Sequence, residues 1–250
     1  IGVGRVGSLI SSVSFMFSGF MVVWMAYGTL VYAILYLPLA LYAVECYYRS
    51  GSFKFLLILI LTVSLSLFSG HFQISFYFFI GLIYYILFRA FIKRSIRSTT
   101  FLLISVIFGL IVAAPQLVSS IMLYKNSIRS ELFQVGEAIP LQYLITVISP
   151  DFFGNPVTRN DWFGHYAEWS SFIGIWPLFL AIYAIVRLRS WRILFFSTLG
   201  LGSVALAVNS PLSVLLVSLK IPVLSTSALS RIIVLFSFSF AALAGFDRVV

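Results

Sequence analysis

The stretch KFLLILILTVSLSLFSGHFQISFYFFIGLIYYILFRAFI, residues 54–92, contains two apolar segments separated only by a turn around Gly70 and His71. An α-helix of about 20 apolar residues is long enough to cross the hydrocarbon core of a bilayer. Because the connection is so short, the sequence predicts a helical hairpin with its helices at 54–70 and 73–92. Helices are expected because the backbone polar groups of a segment in lipid must bond to one another.

The composition of the whole chain extends this pattern. Of its 250 residues, 61% are hydrophobic and 9% are charged, and the mean hydropathy is +1.09. A soluble domain carries roughly 25% charged residues. We therefore expect an all-α, polytopic membrane protein that forms a single transmembrane domain over 1–250. About eight transmembrane helices are predicted, at 7–26, 29–48, 54–70, 73–92, 100–123, 170–186, 193–208 and 232–246.

The ends of the chain and its cysteine content add two expectations. The sequence begins at Ile1 without a methionine and stops at Val250, so we expect it to be a fragment of a longer polypeptide. Cys46 is the only cysteine, which excludes a disulfide framework within the chain.

The distribution of lysine and arginine predicts the orientation of these helices. If the first span runs from inside to outside, eleven of these residues fall on the inner side and five on the outer side, as the positive-inside rule requires. Insertion then accounts for the net charge of +9, and no nucleic-acid partner is expected. The same topology places both histidines and five of the seven acidic residues outside: His71, His165, Glu131, Glu137, Asp151, Asp161 and Glu168.

The longest predicted extracytoplasmic loop is 124–169. Its first part, 124–137, is expected to be helical, and the apolar piece at 141–148 predicts a short interfacial helix. Asp151 lies in a turn-rich sequence, where it either binds a cation or substrate hydroxyl or bonds to the amides of its own turn. Trp162, His165 and Glu168 suit a sugar-binding surface of aromatic faces and carboxylates, but also an ordinary aromatic belt at the membrane interface.

Three further polar side chains are candidate binding residues at membrane depth. His71 and Gln73 lie at the turn of the opening hairpin, where they either bind substrate or hold the ends of the two helices together. Gln116 follows Pro115, which is expected to kink the fifth span and to leave Gln116 facing a cavity.

Arg231 is the candidate for binding a phosphate. It follows 225–230, in which four of the six residues carry hydroxyl groups, at the start of the last predicted span, where a guanidinium and free backbone amides donate together. The alternative is an arginine that anchors the helix at the interface. The preceding connector, 209–230, is expected to be re-entrant or interfacial. No metal-ligand set is predicted, because His165 and Glu168 lack a second histidine at helical spacing.

Several short motifs, in this order and spacing, resemble the YfhO-type bacterial membrane proteins. They are FSGF at 17–20, LPL at 37–39, GHFQISFY at 70–77, APQ at 114–116, PDFFG at 150–154, IGI at 173–175 with Pro177, and SR at 230–231. The sequence departs from the family pattern at Phe72, where a proline is expected.

The resemblance implies a GT-C-like core, as in the membrane glycosyltransferases that YfhO-type proteins resemble. Such an enzyme transfers a sugar from a polyprenyl-phosphate donor to an envelope polymer acceptor, at the outer face of the bacterial cytoplasmic membrane. The family's catalytic acid lies in an outer loop that would precede Ile1, so no catalytic residue is assigned within this chain. The departing phosphate is expected to be stabilised by arginine or by a divalent metal. Two alternatives remain, namely a transporter or flippase of a lipid-linked or small polar solute and a non-catalytic membrane scaffold.

Overall fold

The computed structural model describes residues 3–28, 30–127, 138–219 and 229–246. Within these ranges the regular secondary structure is helical, apart from one β-bridge between Ile139 and Val208. In chain order the α-helices are α1 (Arg5–Met16), α2 (Gly19–Met25), α3 (Leu30–Leu35), α4 (Leu37–Ser50), α5 (Phe53–Phe68), α6 (Phe72–Lys93), α7 (Ile96–Val112), α8 (Ala114–Lys125), α9 (Tyr166–Trp169), α10 (Ile175–Arg187), α11 (Trp191–Ala207), α12 (Pro211–Ser218) and α13 (Val234–Ala244). Short 3₁₀ helices cover Leu141–Val147, Pro156–Thr158 and Leu229–Ile233.

Two of the described helices are long and apolar enough to cross a membrane. They are Leu30–Ser50, which joins α3 and α4, and α6. The number rises to four if each of two bent pairs counts as one span: α1 with α2, bent by 47°, and α7 with α8, bent by 67°. The predicted all-helical architecture with membrane-spanning candidates is therefore confirmed, whereas eight spans remain a prediction.

The other apolar helices are too short to count as spans by themselves. Helices α5, α10 and α11 contain 16, 13 and 17 residues. At about 1.5 Å per residue they are roughly 20 to 26 Å long, against about 30 Å for the hydrocarbon core. The span predicted at 170–186 loses its first turn because residues 170–174 are not helical, and Gly174 has a φ of 99°.

The two bent pairs have different causes. At the second pair, Pro115 lies in the first turn of α8 and has no amide hydrogen to continue the helix from α7, so the predicted kink is confirmed. At the first pair, the backbone amide of Gly19 donates to the carbonyl of Phe172 at 2.7 Å instead of to its own helix. The predicted span 7–26 is broken at that point.

The contacts divide the chain into two compact units. The first unit comprises Gly28–Leu132 and contains α3 to α8. The second unit combines Gly2–Tyr27 with Phe133–Val250, so it contains α1 and α2 together with α9 to α13.

Helix α13 forms the centre of the second unit. Nearly all of its side chains are buried, including Phe236, Phe238 and Phe240, and it packs against α1, α10 and α11. Small residues permit this close packing. A Cβ atom added to Gly7 of α1 would overlap the carbonyl oxygen of Gly245, and one added to Gly200 of α11 would lie 2.9 Å from the ring of Phe240.

Several helices expose apolar faces. On α7, Ile107, Phe108 and Ile111 are 54%, 53% and 59% exposed, and on α10, Trp176 and Phe179 are 76% and 61% exposed. Soluble monomers rarely expose contiguous apolar surfaces of this kind. These faces are suited to contact with lipid chains.

Some predicted features fall partly outside the described residues. The predicted helix at 124–137 is described only as far as Ser127, and α8 ends at Lys125; Glu131 and Glu137 lie outside the described residues. The connector at 209–230 contains the short helix α12, but its residues 220–228 also lie outside them. The predicted interfacial helix at 141–148 corresponds to the 3₁₀ helix Leu141–Val147.

Candidate functional site

Residues 138–174, called the aromatic loop below, carry four of the eight candidate site residues, and one of them, Glu168, contacts Arg231. The start of the loop is fixed to the end of α11. The amide of Ile139 donates to the carbonyl of Ala207 at 2.9 Å, and the amide of Asn209 donates back to the carbonyl of Ile139 at 2.9 Å. Because Ile139 is also 1% exposed, the beginning of the loop has a defined position in the second unit.

The end of the aromatic loop is fixed to the N-terminal helices of the same unit. The carbonyl of Phe172 accepts the amide of Gly19. The indole Nε1 of Trp24, on α2, donates to the carbonyl of Ala167 at 2.9 Å. Helix α9, which contains Ala167, is therefore held against α2.

The interior of the loop is a cluster of aromatic rings around Tyr143. The 3₁₀ helix repeats every three residues, so Tyr143 and Thr146 share one face, and both are buried. The ring of Tyr143 stacks on Phe153 with 5.4 Å between centroids and meets the edge of Trp169 at 4.8 Å. Phe163 packs within 5.3 Å of Tyr143. Such aromatic pairs stabilise the loop beyond their burial alone.

The two predicted aromatic-site residues Trp162 and His165 lie at the edge of this cluster. Trp162 is 71% exposed and approaches only the ring of Phe153 among the described aromatic contacts, at 5.7 Å. His165 stacks on Trp169 at 4.8 Å with an interplanar angle of 28°. Trp162 therefore presents a largely open ring face, whereas one face of the His165 ring is covered.

Asp151 is an exposed carboxylate that neighbouring side chains hold in place. Its Oδ1 accepts a hydrogen bond from the hydroxyl of Tyr166 at 2.7 Å and another from Nδ2 of Asn155 at 3.1 Å. Part of its bonding capacity is thus used within the loop, by these two side chains, whereas the structural interpretation of Asp151 predicts the backbone amides of its own turn. A carboxylate oxygen has further lone pairs, so Asp151 also retains acceptor capacity toward solvent.

Both phenols beside these carboxylates keep their protons at neutral pH. Burial, reinforced by the charges of Asp161 and Asp151, raises the pKa of Tyr143 to about 12. Burial and the hydrogen bond to Asp151 raise the pKa of Tyr166 as well. Tyr166 is therefore a hydrogen-bond donor to Asp151 throughout the physiological range.

Arg231 contacts both α9 and α2 in the second unit. Its Nη2 atom lies 3.1 Å from Oε1 of Glu168, and its guanidinium lies over the ring of Trp24 at 5.2 Å from the centroid. The side chains of Arg231 and Glu168 are each 20% exposed. The structure thus brings together two predicted site residues, and the partly covered arginine remains accessible to a ligand.

A cavity of about 10 Å³ lies within the aromatic loop, lined by residues that include Tyr143, Tyr166 and Ser170. This volume accommodates about one water molecule. It is too small for a sugar.

The remaining predicted site residues lie in the first unit, and two of them have local partners. Nδ1 of His71 accepts the amide of Ile74 at 3.3 Å, so His71 caps α6. Nε2 of Gln73 donates to the hydroxyl of Tyr77 at 3.0 Å, and both residues are buried. Gln116 is partly buried at the start of α8. The His71 contact agrees with the alternative in which these side chains bond to a helix end, whereas the Gln73 contact lies within α6.

A buried charged cluster in the first unit was not among the predicted site residues. Glu45 and Arg89 have side chains that are each 3% exposed, and Oε2 of Glu45 lies 2.8 Å from Nε of Arg89. Glu45 also pairs with Arg49 at 2.9 Å and accepts a hydrogen bond from Tyr85 at 3.1 Å. The guanidinium of Arg89 lies 5.5 Å from the ring centroid of Tyr48.

In the part of the chain that the structure describes, no group of three or more histidine, cysteine, aspartate or glutamate residues is placed to hold a metal ion. In the aromatic loop, the carboxylates of Asp151 and Asp161 accept hydrogen bonds from Tyr166, Asn155 and a backbone amide. The loop is arranged as a hydrogen-bonded and aromatic surface.

No protein-family model matches the chain, and neither the curated proteins nor the solved structures include one with significant similarity to it. The resemblance to YfhO-type proteins consequently remains a prediction that depends on short motifs.

Proposed function

We propose that the protein is an integral protein of the bacterial cytoplasmic membrane with a GT-C-like core and eight membrane-crossing segments. Its activity is the transfer of a sugar from a polyprenyl-phosphate donor to an envelope acceptor, on the extracytoplasmic side. The observation that carries this proposal is the position of Arg231, between Glu168 and Trp24 and next to the aromatic loop.

The surroundings of Arg231 suit the binding of a lipid-linked phosphate. A guanidinium that pairs with a carboxylate can pair with a phosphate in the same fork geometry. The Glu168 carboxylate then acts as a stand-in that the donor phosphate displaces. The polyprenyl tail stays in lipid along the exposed apolar helices.

The aromatic loop supplies a surface for the sugars. The open ring of Trp162 offers a face on which the C–H groups of a sugar ring stack, and Asp151 accepts hydrogen bonds from hydroxyl groups. In this scheme Arg231 stabilises the negative charge that develops on the departing phosphate. No residue of this chain is assigned as the base that activates the acceptor.

Donor binding and transfer by the purified full-length protein test the role of Arg231. Arg231→Gln should weaken donor binding by about 10- to 100-fold, because a hydrogen bond to a charged group contributes roughly 1.5–3 kcal/mol. Glu168→Gln should preserve or strengthen binding, since it releases Arg231 from its partner. The matched control is Arg159→Asn, which removes an exposed arginine of the same loop at a left-handed position that asparagine tolerates.

These variants also distinguish ligand binding from loop stability. If Arg231 only holds the loop through Glu168, both substitutions lose the same contact and should lower binding equally. Absence of donor binding and transfer by the unmodified protein would contradict the proposed activity.

The proposed sidedness has its own measurement. In a Cys46→Ser background, a cysteine introduced at His165 should react with a membrane-impermeant maleimide added outside intact cells. Labelling only after the cytoplasmic membrane is opened would reverse the topology and remove the extracytoplasmic site.

A transporter of a lipid-linked or small polar solute is the second candidate, favoured by the buried Glu45–Arg89 pair. Ionisable residues buried within membrane helices often mark transport pathways. Proteoliposomes that move a sugar carrier across the bilayer without forming a transfer product would support this candidate, and Glu45→Gln should then reduce the rate of movement.

A further inference from the structure

Six cationic side chains of the first unit gather at one end of its helices, called the basic end: Arg49, Lys54, Arg89, Lys93, Arg94 and Arg97. Helices α4 and α5 meet there after Ser50, and α6 and α7 meet there after Lys93. The hydroxyls of Tyr48 on α4 and Thr99 on α7 lie 2.7 Å apart, which places the two turns side by side.

The basic end has a large excess of positive charge. Glu45 is the only acidic residue in 30–127, so the six cations of the basic end and this one carboxylate give a net charge of 6 − 1 = +5. The carboxylate of Glu45 is already engaged by Arg49 and Arg89. Lys54, Lys93, Arg94 and Arg97 are exposed, and Arg49 has a side chain that is 51% exposed.

Exposed apolar side chains alternate with these cations. Phe53 precedes Lys54 and is 66% exposed, Phe91 is close to Lys93 and is 82% exposed, and Ile96 lies between Arg94 and Arg97 and is 83% exposed. An acidic protein or a nucleic acid would contact the charges but leave these apolar groups in water. The boundary between headgroups and acyl chains accommodates both kinds of side chain.

We propose that the basic end binds the phosphate-bearing headgroups of anionic phospholipids in the adjoining leaflet. The exposed cations Lys54, Lys93, Arg94 and Arg97 pair with the headgroup phosphates. Phe53, Phe91 and Ile96 enter the acyl region. This inference depends on the membrane location included in the proposed function, and it is independent of sugar transfer.

Lipid titration of the purified full-length protein in a nonionic detergent tests the proposal. Phosphatidylglycerol and phosphatidylcholine are added separately, and bound lipid is counted by native mass spectrometry. Each lysine or arginine near an anionic surface strengthens binding by about fivefold. The double variant Lys93→Gln/Arg97→Gln should therefore bind phosphatidylglycerol roughly 25-fold more weakly than the unmodified protein.

The matched control is Lys125→Gln, which removes an exposed cation of the same unit. Lys125 ends α8, which follows α7, a helix about 25 Å long that begins at the basic end. It should change phosphatidylglycerol binding by less than twofold. Circular dichroism and gel filtration establish that the variants fold. If the double variant does not fold, added salt replaces it, because screening should weaken the binding of phosphatidylglycerol to the unmodified protein.

Three outcomes would overturn the inference. They are equal binding of the two lipids, an equal loss in Lys125→Gln, and full competition by inorganic phosphate at the concentration of the lipid phosphate. The last outcome would assign the basic end to free phosphate. Alkaline carbonate extraction tests the proposed membrane location separately, because an integral membrane protein stays in the membrane pellet. None of these measurements depends on sugar transfer.

Discussion

Substitution of Glu45 by glutamine should destabilise the first unit strongly, because the charge of Arg89 would remain buried after its partner is lost. Glutamine has nearly the same shape and can still accept the hydrogen bond from Tyr85, so the change removes mainly charge. The side chains of Glu45 and Arg89 are each 3% exposed. Removing one member of a buried ion pair costs about 3–5 kcal/mol.

Arg49 provides the internal comparison for this prediction. It contacts the same carboxylate, but its side chain is 51% exposed, and an exposed ion pair contributes about 0–1 kcal/mol. We therefore expect Arg49→Gln to lower the free energy of unfolding by about 1 kcal/mol at most. The difference between the stability losses of Glu45→Gln and Arg49→Gln therefore measures the effect of burial, because Glu45→Gln leaves the buried charge of Arg89 unpaired and Arg49→Gln removes only an exposed charge.

The assay is reversible unfolding in mixed micelles, followed by circular dichroism while a denaturing detergent is titrated. The double variant Glu45→Gln/Arg89→Gln should lose less stability than the sum of the two single variants, since the second substitution removes the stranded charge. The reasoning is refuted if Glu45→Gln costs no more than Arg49→Gln, or if the two substitutions in the double variant are additive.

Three further predictions concern the second unit. Gly7→Ala should lower its stability by about 1–3 kcal/mol, because the added methyl overlaps the carbonyl of Gly245; detergent-induced unfolding measures the loss, and an unchanged midpoint would show that α1 does not pack as described. On α11, Gly200→Ala should destabilise the second unit, because the added methyl contacts the ring of Phe240. Gly202→Ala adds a methyl in open space and should stabilise the unit by about 0.5–1 kcal/mol. Equal unfolding midpoints for the two variants would contradict the close packing at Gly200. The pKa of Tyr143 is raised to about 12 from an ordinary 10.0, so its contribution to the stability of the folded protein should be complete below pH 10 and lost as the pH rises toward 12, because the unfolded tyrosine ionises first. The phenolate absorbance of the wild type minus that of Tyr143→Phe should show this titration. A titration midpoint near pH 10 would exclude the buried phenol.

The helical segments were predictable because hydropathy is a local property. The segment at 73–92 is found as α6, and the kink at Pro115 follows from the missing amide hydrogen of one residue. The break between α1 and α2 was not predictable in this way. It depends on a hydrogen bond between Gly19 and Phe172, which are 153 positions apart in the sequence.

In the candidate site, too, the residue types could be predicted from the sequence but the long-range contacts could not. The residue types of the aromatic loop indicate a surface of rings and carboxylates, and the sequence singles out Glu168 and Arg231 as candidate binding residues. Their pairing across 63 positions required the fold. Glu45 lies near the end of the predicted span 29–48, but its burial against Arg89 depends on α4 and α6 lying side by side, which no pattern in either helix indicates.

The second unit is discontinuous, since α1 and α2 are separated from α9 to α13 by the whole of the first unit. During synthesis, α1 leaves the ribosome more than 200 residues before Gly245, its neighbour at the closest crossing, exists. All helices of the first unit are synthesised before α13 and can pack together, whereas α1 cannot pack against α13 until α13 has been made. Contacts of such large sequence separation form late and slowly, so premature termination of translation before α13 leaves the N-terminal helices exposed to quality-control proteases.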